Sequence, residues 1–227
     1  MKLSSPKPLT TALLLALPLL LSAHGVSSTD QETLSNGGLL AYVLVGAKHM
    51  VTGYDHLLFL AGVIFFLRGF KDILRFITVF TIGHSITLIG ATYLGIKADE
   101  HLIDAVIALS VLYKGFENLG GFERLKVKSP NLLLMVFIFG LIHGFGLSTR
   151  LQSFDTGPDS FLAKIVCFNV GVELGQIAAL IPIVLLITRW RKLRSYDAFY
   201  RSVNTYLVIA GIGLFFYQMY GYFSGGH

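Results

Sequence analysis

The sequence predicts an all-α integral membrane protein, a six-helix transmembrane bundle behind a cleavable signal peptide. Three observations carry this reading. Of 227 residues, 54% are hydrophobic and 14% charged, against about 25% charged in ordinary soluble domains. Mean hydropathy is +0.68. Apolar runs long enough to cross a bilayer as helices recur between short charged loops.

The first element is residues 1–23, with Lys2 and Lys7, then an apolar run, then Ser22-Ala23. Charge, apolar stretch and small residues in that order describe a secretory signal peptide. An uncleaved signal anchor is the alternative. Cleavage after Ala23 would make His24 the N-terminus, where amine and imidazole together can chelate a metal. The rest of the chain, residues 24–227, reads as one transmembrane domain.

Six spans are expected, at approximately 38–67, 75–95, 101–119, 131–148, 161–188 and 203–222. The first is long enough to be tilted or broken, with Thr52-Gly53 as its weak point. The loops give the orientation. One set holds Arg68, Lys71, Arg75, Arg124, Lys126, Lys128, Arg189, Arg191, Lys192, Arg194 and Arg201; the other holds only Lys48, Lys97, Arg150 and Lys164. The positive-inside rule assigns the first set to the cytoplasm and both mature termini to the outside.

Composition also excludes. With Cys167 as the single cysteine, neither a disulfide framework nor a thiolate metal site is available. The sequence pI is about 9.3, but the bases sit in interhelical loops where topology accounts for them, so nucleic acid is not an expected partner. The lipid bilayer is. Nothing in the sequence fixes or forbids an oligomer.

The first span contains His49-Met-Val-Thr-Gly-Tyr-Asp55-His56. An ionised carboxylate at mid-bilayer costs on the order of 2.5–3.5 kcal/mol, so such a string implies a role. Seven residues make two helical turns, which brings His49 and His56 to one face. Asp55 lies beside His56, placed to join the same site or orient a ring. His84 (FTIGHSITL), His143 (FGLIHGFGLS) and Glu173 (FNVGVELGQ) occupy three further spans at a similar depth. A lone membrane histidine often only hydrogen-bonds to a neighbouring helix. Six such groups at one level point instead to a shared metal site of His49, Asp55, His56, His84, His143 and Glu173.

Asn169 and Gln176 share a stripe with Glu173 and are expected as interhelical hydrogen bonders beside the pathway. Gly140–Gly144 and Gly171–Gly175 are GxxxG patterns enclosing His143 and Glu173, which permits close helix approach. Nearer the basic loops, Ser110, Tyr113 and Glu117 line one face of the third span, with Lys114 beside them. Polar groups from one side to the other suit a permease.

Imidazole and carboxylate without thiolate suit Ni²⁺, Co²⁺, Zn²⁺, Mn²⁺ or Fe²⁺, and the residues do not choose among them. The string at His49–His56, with FTIGHSITL, FGLIHGFGLS and FNVGVELGQ after it in order, resembles the second branch of the HupE/UreJ family of bacterial nickel permeases. The resemblance runs from about Gly38 to the last span. It implies a signal peptide, about six spans, and uptake of Ni²⁺, or of Co²⁺, from periplasm to cytoplasm with the metal as substrate. It carries His49, Asp55 and His56 over as functional residues. The family's Phe-His-Gly string followed by Glu is altered here: Ile142 precedes His143, and Glu173 lies a helix later.

The leading expectation is therefore a divalent-metal permease rather than an enzyme. The alternative is an intramembrane Zn²⁺ hydrolase, with three histidines and a carboxylate as ligands, an open position for water, and Asp55 or Glu173 as general base.

Overall fold

The computed structural model describes residues 30, 32–34, 37–152 and 161–225, without the side chains of Tyr54, Asp55, Arg150 and Phe161. The expected signal peptide, 1–23, and His24 lie outside the described residues. The fold is all-helical, 82% helix without strands among the described residues. Its helices are α1 (Leu39–Thr52), α2 (Tyr54–Val63), α3 (Phe70–Tyr93), α4 (Glu100–Asn118), the single turn α5 (Gly121–Arg124), α6 (Leu132–Leu151), α7 (Phe161–Trp190) and α8 (Tyr196–Phe223).

Four of these, α3, α6, α7 and α8, are long and apolar enough to cross a membrane. The two remaining expected spans fall short for identifiable reasons. The stretch 38–67 is divided at Gly53, leaving helices of 14 and 10 residues. The 19 residues of α4 include Glu100, Asp104, Lys114 and Glu117.

Local signals set the helix ends. Asp99 caps α4 by accepting from the Leu102 N–H at 3.0 Å, and Asn131 accepts from Leu133 and Leu134 at the start of α6. After α3 the chain turns through left-handed Gly95 (φ 65), and the Ile96 N–H reaches back to the Ala91 carbonyl at 2.9 Å. Gln152 covers the same end, donating to the Ile96 carbonyl at 3.0 Å.

Packing is organised as three close helix pairs, α3 with α6, α1 with α7, and α4 with α8. Glycine makes each approach. A Cβ at Gly140 would fall on the Phe80 carbonyl, one at Gly171 on the Val43 carbonyl, and one at Gly211 2.7 Å from the Leu112 nitrogen. The GxxxG glycines thus sit at interfaces, as expected. Contact order shows direction. Gly140 and Gly144 meet Phe80 and His84 in turn, so α3 and α6 run parallel, whereas Gly211 meets Leu112 and Gly221 meets His101, so α4 and α8 run antiparallel.

One end of the bundle gathers the basic loops. There Arg191, just past α7, donates to the Phe65 and Leu67 carbonyls at 2.7 and 3.1 Å. Phe65 packs on Tyr196, Phe199 and Tyr200 near the start of α8. At the opposite end the segment before α1 is held by an Asp30–Lys48 ion pair at 2.7 Å.

Candidate metal centre

The centre begins at the helix break. Gly53 is extended (φ −67, ψ 111), ending α1 and starting α2. The Gly53 N–H donates to the His49 carbonyl at 2.9 Å, and the Thr52 hydroxyl donates to the Lys48 carbonyl at 2.8 Å. His49 and His56 flank this break, one at the end of α1 and one in the first turn of α2. Their rings nonetheless meet edge to face with centroids 5.1 Å apart. The weak point read at Thr52-Gly53 is where the helix opens.

A third ring comes from α6. His143 lies 5.1 Å from His56, centroid to centroid. His56 and His143 are 5% and 3% exposed, so the pair is shielded from solvent. A metal–nitrogen bond of about 2.0–2.1 Å puts an imidazole centroid ~3.2 Å from an ion, so two rings at a tetrahedral angle stand ~5 Å apart. The His49–His56 and His56–His143 separations match that spacing. The orientations are not yet those of a closed shell: no three His, Cys, Asp or Glu side chains among the described residues are arranged to hold an ion as they stand.

Hydrogen bonds set two of the tautomers. His143 Nδ1 lies 2.7 Å from the Phe139 carbonyl, which only accepts, so the proton is on Nδ1 and the lone pair on Nε2. His84 Nδ1 lies 2.9 Å from Asn169 Oδ1. The Asn169 amide nitrogen donates to the Ile165 carbonyl, which fixes the amide orientation and makes His84 Nδ1 the donor as well. Anchoring one ring nitrogen to an oxygen while the other carries the lone pair is how metal-binding histidines are oriented. His84 stacks on Phe80, with ring centroids 6.0 Å apart.

The carboxylates fare differently. Asp55 is in α2, but its side chain lies outside the described residues. Glu173, one turn past Asn169 on α7, is half-buried. Gln176, a turn further, is fully buried with neither amide atom hydrogen-bonded among the described residues.

Toward the basic end, Lys114 pairs with Glu117, and the ammonium stands 3.8 Å from the Phe66 ring centroid. Ser110 donates to the Ile107 carbonyl in its own helix, and the buried Tyr113 hydroxyl has no hydrogen-bond partner among the described residues.

Sequence reading did not single out Asn118, Asn204 and Tyr200. Asn118 donates to the Gly62 carbonyl and Asn204 Oδ1, at 2.8 and 2.6 Å. The Tyr200 hydroxyl donates to the Asn118 carbonyl at 2.6 Å, tying α2, α4 and α8 together. The aromatic residues beside the histidines were also missed. Phe80 and Phe139 each precede a histidine by four residues, and Phe59 follows one by three. That recurrence was visible in the sequence.

Comparison with curated proteins returns no match, and comparison with solved structures returns none either. A protein-family model described as HupE / UreJ protein matches residues 27–225, nearly the whole chain. Helices apolar enough for a membrane, a histidine centre at a helix break and this match agree: the chain belongs to the HupE/UreJ family.

Proposed function

We propose that this chain is a permease for a divalent transition metal, Ni²⁺ first and Co²⁺ next, that carries the ion from periplasm to cytoplasm. Membership in this family speaks for nickel/cobalt transport-related work and against an enzyme. The single observation that carries the reading is the run of rings His49, His56 and His143 across a broken helix. Discontinuous helices recur at transporter ion sites, where the carbonyls at a half-helix C-terminus favour a cation. The end of α1 at Thr52 offers such a terminus.

In this reading α1–α2 form one broken span, and α3, α4, α6, α7 and α8 complete six. The basic loops face the cytoplasm and the mature termini the periplasm of the inner membrane. The ion sheds water to His49, His56 and His143, with Asp55, His84 and Glu173 contributing, and Asn169 and Gln176 flank the site. Glu117 and Tyr113 lie further along the route, and Ser110 supports their helix. Neutral imidazole suits release as well as capture, since conduction requires binding that is not too tight.

Uptake of radiolabelled Ni²⁺ by proteoliposomes tests this, with Co²⁺, Zn²⁺ and Mn²⁺ as competitors. Saturable uptake that falls at least ~10-fold in His56→Ala and in His143→Ala is expected. No uptake by the wild type, or uptake indifferent to both substitutions, overturns it.

A further inference from the structure

Every buried histidine of the centre has a phenylalanine one turn toward the basic end. On α2, which ends near the basic loops, His56 is followed by Phe59. On α3 and α6, which start there, Phe80 precedes His84 and Phe139 precedes His143. Since α2 runs opposite to the other two, i+3 in one and i−4 in the others amount to the same displacement. The result is a layer of aromatic rings beneath a layer of imidazoles.

The rings of this layer touch. Phe59 stands 5.2 Å from Phe139, 6.0 Å from Phe80 and 6.2 Å from Phe76, centroid to centroid. The same ring is 5.8 Å from His143, and Phe80 is 5.4 Å from it. Phe59, Phe76 and Phe80 are 2%, 2% and 1% exposed. On the far side Phe139 meets Tyr113 at 5.5 Å, and one residue on begins the buried Lys114–Glu117 pair. Along this line of contacts, from His143 through Phe59 and Phe139 to Tyr113, polar side chains stop at the phenylalanines and resume beyond them.

We propose that Phe59, Phe80 and Phe139 form a septum that sets what crosses this protein: a divalent ion handed on by imidazole, but neither protons nor hydrated alkali ions. The inference rests on the permease reading. Packed rings leave no room for a water column, and a water-depleted apolar constriction bars hydrated charge. An ion that has exchanged its water for His56 and His143 arrives already stripped, directly above the rings that must turn aside. Phe59 touches all the other members, so it is the residue on which closure depends most.

The test is passive proton leak in proteoliposomes carrying an internal pH dye, under a potassium diffusion potential set with valinomycin. The wild type is expected to be tight. Phe59→Ala, Phe80→Ala and Phe139→Ala are each expected to leak at least ~10-fold faster, since each opens a side-chain-sized gap in the constriction. Phe65→Ala removes an equally large buried ring that packs on Tyr196, Phe199 and Tyr200, outside the septum, and should stay tight. Leak in Phe65→Ala equal to that in Phe59→Ala, or tightness in all three septum variants, overturns the proposal.

If the alanine variants fail to fold, cysteine accessibility decides it in a Cys167→Ala background. His49→Cys, half-buried at the end of α1, is expected to react with a membrane-impermeant thiol reagent only from the periplasmic side, and Tyr113→Cys, half-buried on α4, only from the cytoplasmic side. Both reacting from one side overturns the septum. A wild type that takes up no metal overturns the permease reading instead, and the proton-leak comparison separates the two failures.

Discussion

Gly83→Ala tests how the helix packing holds the histidines. Gly83 lies on α3 next to His84, where a Cβ would stand 2.5 Å from the Phe137 carbonyl oxygen and 3.1 Å from the Leu141 nitrogen. Both obstacles are backbone of α6, the helix that carries His143, so no side chain can swing away. Restoring an ordinary 3.4 Å contact from 2.5 Å requires the helices to part by 0.9 Å along that line. Overpacking of this kind costs about 1–3 kcal/mol, offset by roughly 0.5–1 kcal/mol of helix propensity gained on replacing glycine. The net loss should be no more than about 2.5 kcal/mol, small enough for the variant to fold. The functional loss should be larger. Functional groups tolerate displacements of about 0.5 Å, and metal–ligand distances less, about 0.2 Å. Ni²⁺ affinity, measured by titration of purified protein, should fall about 10–100-fold, the range for a disturbed supporting contact. Gly90→Ala is the control: same helix, two turns on, with nothing within 4 Å of its Cβ. It should bind metal as the wild type does and melt slightly higher. Wild-type affinity in a folded Gly83→Ala would refute the claim that the α3–α6 approach sets the histidine layer.

Other named contacts lead to further expectations. Asn169→Leu removes the acceptor of His84 Nδ1; Ni²⁺ affinity should drop about 10–100-fold, while Asn169→Asp, which keeps an oxygen there, should retain most of it by the same titration. Lys114→Met strands the buried Glu117 carboxylate and should destabilise by about 3–5 kcal/mol. Adding Glu117→Gln should restore much of that in a thermal melt, and additive losses would contradict it. Arg191→Leu removes two charge-assisted bonds to the Phe65 and Leu67 carbonyls and should cost about 1.5–3 kcal/mol. Metal affinity, measured beside the melt, should stay unchanged because Arg191 is at the basic end.

Much of this was legible because membrane helices are written plainly. Residues 75–95 and 161–188 read as spans because apolar length is a one-dimensional property, and α3 and α7 are among the four helices long and apolar enough to cross a membrane. The break at Gly53 was readable because glycine beside threonine weakens a helix. The grouping of His84 with Asn169 and of His143 with His56 was readable only as shared depth. Its hydrogen bonds depend on helix rotation, which the hydropathy pattern leaves loose when both faces are apolar. The Asn118–Asn204–Tyr200 network was not legible, since two asparagines 86 positions apart carry no mark of pairing. Phe59, Phe80 and Phe139 were passed over for another reason: phenylalanine is ordinary in a membrane helix, and only the direction of each chain makes their offsets from histidine equivalent.

The central claim is that His49, His56 and His143 hold the transported ion together. X-ray absorption at the nickel edge, on purified protein loaded with one equivalent of Ni²⁺, measures this without any transport assay. A nitrogen/oxygen shell near ~2.0–2.1 Å is expected, with outer-shell scattering from about three imidazoles. That scattering should weaken by about one ring in His143→Ala and again in the double variant with His49→Ala. A spectrum without imidazole scattering, or one that His143→Ala leaves unchanged, would contradict it.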